Sequence, residues 1–448
     1  MRNGGNAGLW YVNGNNALGN ARWNIGSRQS GWHLVLFRHD YLACARARRG
    51  TGLAQRSEIA YDHRASSASG RSEGNQRCGR SKIKTYCKGY AVDRAAVLRA
   101  YDAWLSSESG HKNGWRVVQE YGSAEALTEE ILWEVTMRSL RFRPIVRYNR
   151  VEPTNGKVRE IGIASIKQQV VDYIVVTAIS DLLSAKLGYY QVAAVKGKGQ
   201  GVCARALSKW VREGGYFVKA DVRKCYPSIK HDVVMRILRR YVRSPDVLYC
   251  AEALLATYDH GGLEIGSYFS LCMAQLVLSC AYHHVEGLHK ARRDRRVSLV
   301  SHQIWHLDDV MLFSRGKRDL RMAMRSLERY MRDELGLTLK PWKICRVSPD
   351  EPCDMGGFVV RYLRSRTGKM RVRVTVRCGT FLRTRRAFRV FGRRPGLTAS
   401  YRVISYWGRL VHSDSYGFVS RTGARPAFNR ARRIVAAHDR MEAKYGIS

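Results

Sequence analysis

The chain has 448 residues, enough for two or three compact units, and 45% of them are hydrophobic, an ordinary share for a globular protein. Its charge is extreme: 78 Lys and Arg against 37 Asp and Glu give a formal +41, which disfavours a soluble enzyme of neutral metabolites and favours a polyanionic partner. No apolar span of membrane length and no signal-peptide pattern is found, and the 11 scattered cysteines form no C-x-x-C pair. Nucleic acid is therefore expected over a membrane surface, with reduced thiols in a cytosol rather than a disulfide framework or a zinc site.

Residues 1 to 80 are rich in Gly, Asn, Ser and Arg, include "RASSASGRSEGNQRCGRSK", and are expected to be disordered. From about residue 84 the pattern turns globular. "DRAAVLRAYDAWLSS" and "SAEALTEEILWEVTMRSL" place apolar residues at helical spacing, and residues from about 145 to 360 mix strands with helices. The most apolar helix candidate, "VVDYIVVTAISDLL", carries Asp172 and Asp181. In "YFVKADVRKCYPSI" (216–229) an apolar run leads into Asp221 and closes at Tyr226-Pro227-Ser228. "HDVVMRILRRYV" then continues with helical spacing at Val234, Ile237, Leu238 and Tyr241. The histidines of "HHVEGLH" (His283, His284, His289) follow an apolar helical run and read as a solvated helix end rather than a metal cluster.

"QIWHLDDVMLFS" (303–314) sets Asp308 and Asp309 side by side in a segment that otherwise reads as a buried hairpin. Two unit charges about 4 Å apart repel by roughly 4 kcal/mol at an effective dielectric near 20. Either the pair sits at a solvated turn or something positive offsets it. A plain two-residue turn is open on Asp chemistry alone, yet Leu-Asp-Asp-Val lacks the Asn-Gly or Asp-Gly that tight hairpins favour. After residue 360 the chain is intensely basic, with 13 Lys or Arg and no acid between Arg361 and Arg394. There "KMRVRVTVR" alternates: Met370, Val372, Val374 and Val376 on one face, Lys369, Arg371, Arg373 and Arg377 on the other. Such a strand suits tracking a phosphate backbone.

Asp221 at a strand end can meet the Asp308–Asp309 pair if the two strands are neighbours in one sheet. Three carboxylates at one point would hold two Mg²⁺ ions, hard cations that prefer oxygen. Two such ions stabilise the attacking and leaving oxygens of in-line phosphoryl transfer on a nucleoside triphosphate.

These segments, in this order, resemble the reverse transcriptases over roughly residues 85 to 420. Asp221 with Tyr226, and the box His306-Leu307-Asp308-Asp309, are similar to the palm motifs. "NRVEPTNGKVREIGIASIKQQVVDYIVV" resembles the fingers strand pair, with Lys157 and Arg159 at the positions that hold the incoming triphosphate. "AAVKGKGQG" and "GLEIGSYFS" resemble the next two segments, the second being the loop beside the template base, with Gly266 and Ser270. "LGLTLKPWKICRVS" resembles the following palm motif through Lys343, and "DMGGFVV" the primer grip through Gly357 and Phe358.

The resemblance implies an α+β right-hand polymerase: a palm of antiparallel strands backed by helices, with fingers before it and a basic thumb after. The corresponding domains are an extension at 1–80, N-terminal helices and fingers at 81–215, palm at 216–358 and thumb at 359–448. It further implies that Asp221 and Asp308 bind both metals with Asp309 in support, and that Tyr226 stacks under the deoxyribose where a 2′-hydroxyl has no room. Lys343 is implied to protonate the departing pyrophosphate and Arg159 to neutralise phosphate charge. Lys157, Arg159, Tyr226 and Gly266 would hold the nucleotide; Gly357, Phe358, Arg371, Arg373 and Arg377 would hold template and primer.

Within the family, Ile265-Gly266-x-x-x-Ser270 resembles the form found in diversity-generating retroelements, which copy a template RNA with errors opposite adenine. Leu271 stands where that group has Gln, and His306 where most reverse transcriptases have an aromatic, usually Tyr. "YRVISYWGRLVHSDSYGF" (401–418) resembles the end of the thumb in that group. "NAGLWYVNGNNALGNARWNIGSR" (6–28) holds most of the seven asparagines in the first 24 residues and resembles the variable segment of the lectin-like targets these elements diversify. It suggests that the reading frame begins inside the template repeat. Implied partners are template RNA, its complementary DNA and a small basic accessory protein oligomer, in the cytoplasm of a bacterium or its phage, without a membrane. Two other functions fit the residues: an anti-phage defence-associated reverse transcriptase, and a catalytically silent RNA-binding scaffold.

Overall fold

The computed structural model describes residues 83–445 apart from 152–155, 196, 365–366 and 369. The expectations for residues 1–80 and for Lys369 lie outside the described residues. The first helices are α1 (Arg94–Leu105), α2 (Glu108–Asn113), α3 (Trp115–Tyr121) and α4 (Ala124–Thr136). Side chains cap three of them at the start, with Ser107 accepting from the Gly110 N–H at 3.1 Å before α2. Asp93 accepts from the Ala96 N–H at 2.7 Å and Ser123 from the Ala126 N–H at 3.0 Å, satisfying donors that a helix N-terminus leaves open.

A hairpin follows, β1 (Val146–Val151) and β2 (Val158–Ile163), with Arg150 opposite Arg159. Then come α5 (Ile166–Ala178), α6 (Ser180–Lys186) and α7 (Gln200–Glu213). Helix α5 is buried around nearly its whole circumference, its apolar residues together with Lys167, Gln168 and Asp172. Among the described residues, no helix is long and apolar enough to cross a membrane.

The next stretch runs β3 (Tyr216–Asp221), α8 (Cys225–Ser228), α9 (His231–Tyr241), α10 (Pro245–Ala256), α11 (Tyr268–Glu286), β4 (His289–Arg292), β5 (Arg295–Ser298), β6 (His302–His306), β7 (Asp309–Ser314), α12 (Lys317–Leu335) and β8 (Ile344–Arg346). Strands β6, β7, β3 and β8 lie side by side in that order, all antiparallel. The period-2 alternation splits their side chains between two cores. Val218, Val310 and Leu312 face α5, α11 and α12, whose Leu320, Met324, Leu327 and Met331 complete that side. Phe217, Ile304, Met311 and Phe313 face the other way, onto Leu207 and Trp210 of α7.

That second core also takes in a three-stranded sheet of β9 (Cys353–Met355), β10 (Phe358–Arg364) and β11 (Met370–Val376). The sheet spans the expected boundary at residue 358, because Phe358, Val360, Val374 and Val376 all bury against α7's side of the molecule. A third core begins at Cys378. It is built by α13 (Cys378–Arg393), α14 (Leu397–Val411), α15 (Tyr416–Arg421) and α16 (Ala424–Tyr445) around Phe388, Phe391, Trp407 and Phe428.

Candidate active site

The antiparallel pairing of β3 with β7 sets Asp221 directly opposite Asp309, and the Val222 N–H donates to the Asp308 carbonyl at 3.1 Å. The pair of strands thus closes the distance that separates these acids in sequence. Between β6 and β7 the turn is only Leu307-Asp308, with His306 paired to Asp309. Leu307 has φ +55, a left-handed conformation that favours glycine and costs a branched side chain on the order of 1–3 kcal/mol. The tight turn without Asn-Gly is therefore real and strained. The buried neighbours, Trp305 and Leu307 on one side and Val310 on the other, hold it in place.

Asp308 and Asp309 are 9% and 2% exposed. Burial pushes the Asp308 carboxyl up to about 8; repulsion from Asp309 and Asp221 adds to this, and the Arg159 charge on β2 pulls the other way. Burial likewise pushes Asp309 up to about 7, countered first by Lys219, whose ammonium stands 3.6 Å away. Lys219 also donates to the Asp354 carbonyl at 3.0 Å, and Arg377 donates from Nε to the Asp354 carboxylate at 3.0 Å. Asp308 Oδ1 and Asp309 Oδ2 are buried without a hydrogen-bond partner.

Such orphaned carboxylate oxygens are the donors a hard divalent cation takes. Among the described residues, however, no three acidic, histidine or cysteine side chains converge as they stand into a metal-holding group. The Asp221 carboxylate is ion-paired with Lys340, whose backbone N–H also donates to the Asp221 carbonyl at 2.8 Å. The unpartnered oxygens of Asp308 and Asp309 suit a hard divalent cation, while Asp221 as it stands is held by Lys340.

The loop before α11 is the second half of the site. Its Gly266 has φ +120, and a Cβ there would stand 2.4 Å from the Gly162 carbonyl oxygen of β2. The Gly162 N–H in turn donates to the Ile265 carbonyl at 2.8 Å. Glu264, almost fully buried, accepts from Arg147 of β1 at 2.7 Å, and its own N–H donates to Ser270 Oγ at 3.2 Å. Below it, buried Asp172 of α5 accepts from Ser267 Oγ at 2.9 Å and from the Tyr268 N–H at 3.1 Å, capping α11. Burial raises the Asp172 carboxyl to about 7 against the downward pull of those hydrogen bonds. Tyr226 is 6% exposed, and its carbonyl accepts from the Leu263 N–H at 2.9 Å, so the aromatic of α8 is tied to the same loop.

The family comparison agrees with this geometry. Residues 150–360 match the family model described as reverse transcriptase (RNA-dependent DNA polymerase). The chain carries a reverse transcriptase domain. It is an RNA-directed DNA polymerase, a nucleotidyltransferase, and the domain implies the right-hand polymerase fold and, as in the family generally, divalent metal, deoxynucleotides and template RNA. No curated protein matches the chain.

The reverse transcriptase domain brings Asp221, Asp308, Asp309 and Arg159 together; other expected residues are placed differently. Lys343 does not reach the aspartates: it is exposed and pairs with Glu351 at 3.1 Å, while Lys340 takes the place beside Asp221. Leu339 bridges to Val222 and Leu337 is buried, so the backbone there presents position 340 to the strand end. Phe358 is fully buried in the second core, so its ring packs the fold instead of facing a primer. Gly357, φ +87, shapes the turn before it, and its carbonyl accepts from the Arg377 N–H at 3.0 Å.

Arg371 and Arg373 are exposed on β11 opposite buried Val374, whereas Arg377 lies past the strand end and turns to Asp354. Lys157 is exposed at the start of β2. His283 bonds Glu286 at 2.7 Å and His284 stacks on Tyr330. Sequence reasoning missed Lys340, Lys219, Glu264 and Asp172. Only Asp172, an acid within an unbroken apolar run, carried a visible signal.

Proposed function

We propose that the protein is the error-prone reverse transcriptase of a diversity-generating retroelement, copying a template RNA into complementary DNA with errors at template adenines for mutagenic retrohoming into a variable gene. The observation that carries the reading is the Ile265-Gly266-x-x-x-Ser270 loop. Gly266 rests on Gly162 of the β1–β2 hairpin and Ser270 is bonded to Glu264, so the loop that resembles the template-base contact is rigidly indexed to the strand that resembles the triphosphate contact. The asparagine-rich segment at 6–28, with its likeness to a variable repeat, supports the same reading. A small basic accessory oligomer would complete the enzyme in a bacterial or phage-infected cytoplasm.

In this mechanism Asp221, Asp308 and Asp309 would hold two Mg²⁺ ions, which would offset the charge of the buried carboxylates and supply Lewis-acid stabilisation of the phosphate. Arg159 and Lys157 bind the triphosphate oxygens from β2. The Tyr226 ring, carried on a backbone bonded to Leu263, would close the space a 2′-hydroxyl needs. Gly357, Arg371, Arg373 and Arg377 supply the template and primer side, with Phe358 acting through the fold.

A second reading, an anti-phage defence reverse transcriptase, is favoured by two departures. His306 is buried next to the Gly356 turn, and Leu271 is half-buried at the start of α11. The deciding experiment sequences the DNA made by the purified full chain with its cognate RNA, Mg²⁺ and the accessory protein. Substitutions concentrated opposite template adenines support the retroelement reading. Faithful or untemplated DNA assigns the defence class. Asp308→Ala should abolish synthesis, and persistent synthesis would overturn the site itself.

A further inference from the structure

The β4–β5 hairpin stands out from the body of the protein. Arg292, Arg293, Arg295 and Arg296 on it are exposed, and among the described residues none of their side chains has an ion pair or hydrogen bond. Asp294 in the turn is the hairpin's one acid, and among the described residues Lys290 of the hairpin is ion-paired, through Asp319 at 2.6 Å. That contact ties the hairpin to the first turn of α12. Along α12, Arg321, Arg325 and Arg329 recur at helical spacing, exposed and, among the described residues, equally without side-chain partners. They form one stripe opposite the apolar stripe Leu320, Met324, Leu327 and Met331 that packs on the four-stranded sheet.

This basic tract does not face the aspartates. Helix α12 covers the sheet face of Val218, Val310 and Leu312, whereas Asp309 shares its strand parity with Met311 and Phe313 on the opposite face. The hairpin lies past the far end of β6, whose five residues span about 17 Å from the catalytic turn, and about 28 Å along α11 from the loop of Gly266. The outer stripe of α12 therefore lies on the side of the sheet away from the aspartates.

Uncompensated arginines repel one another, and successive ones on α12 stand about 6 Å apart. Spacing on that scale engages successive phosphates of a nucleic-acid backbone. We propose that the β4–β5 hairpin and the outer stripe of α12 form a second nucleic-acid site, which holds a double-stranded segment of RNA away from the strand being copied. RNA is favoured because the domain's template is RNA, and a hairpin beside a helix offers a backbone-tracking surface without aromatic side chains for stacking unpaired bases.

The test is fluorescence anisotropy of the full chain with a labelled RNA stem-loop of about 20 base pairs, compared with Arg295→Gln/Arg296→Gln/Arg321→Gln/Arg325→Gln. The expected result is a loss of about tenfold or more in affinity, with the log–log salt slope shallower by up to about 3.6, about 0.9 for each of the four lost phosphate contacts. The four-lysine version should restore most of the slope, and extension of a short primer on an unstructured homopolymer should be unchanged in both, which shows that the variants fold. Unchanged affinity and slope would overturn the proposal and leave the tract to an acidic protein partner. A parallel loss of homopolymer extension would also overturn it, by placing the tract on the copying path.

Discussion

Gly266→Ala tests whether the loop before α11 is indexed to the β1–β2 hairpin by backbone contact. Two costs can be separated. A side chain at φ +120 costs on the order of 1–3 kcal/mol, and a Cβ 2.4 Å from the Gly162 carbonyl forces a shift worth about 1–3 kcal/mol more. If the loop retreats, the Gly162 N–H to Ile265 carbonyl bond at 2.8 Å also breaks, a net loss of about 1 kcal/mol. Gly261 is the control: its φ is +70 and a Cβ there meets nothing within 4 Å, so Gly261→Ala bears the strain alone. Thermal melts and steady-state nucleotide incorporation on one primer–template measure both. Gly266→Ala should melt well below Gly261→Ala and raise the deoxynucleotide KM by about tenfold or more, the equivalent of 1.4 kcal/mol. If the two variants melt together and share a KM, the steric contact does not position the loop.

Three further outcomes are expected. Asp308 is raised to about 8 in the fold against an ordinary carboxylate value in the unfolded chain, so the fold binds the extra proton and metal-free stability falls as pH rises from about 4 to 8. Asp308→Asn should therefore flatten that decline in melts without metal; an unchanged pH profile would refute the burial argument. Lys340→Gln frees Asp221 from its ion pair and should lower the Mg²⁺ needed for half-maximal synthesis by a few-fold, whereas Lys343→Gln should leave it unchanged. Equal effects would show that the Lys340 contact does not compete for the carboxylate. Asp172→Ala removes the carboxylate that holds Ser267, the N-cap of α11, and the Tyr268 N–H, and should cost about 2 kcal/mol in the melt while raising misincorporation; melts and fidelity equal to wild type would mean the loop does not depend on Asp172.

The sequence by itself determined which residues carry charge and which faces are apolar. Asp221 at the end of an apolar run, the Asp308–Asp309 pair and the alternation through Val372, Val374 and Val376 are local patterns, visible because period and composition survive without coordinates. The strand pairing that opposes Asp221 to Asp309 could be anticipated only as a condition, since register belongs to two segments almost ninety positions apart. Tertiary structure alone decided the rest. Lys340 and Lys343 have the same chemistry and are three residues apart, and only the bridge from Leu339 to Val222 selects which one meets Asp221. Phe358 reads as an aromatic beside a glycine turn, but the second core claims its ring because β10 lies against α7. The arginines of β4–β5 and α12 look like ordinary surface charge in the sequence. Their alignment into one tract depends on the Lys290–Asp319 contact, and a contact between distant segments is written in the packing, not in any local pattern.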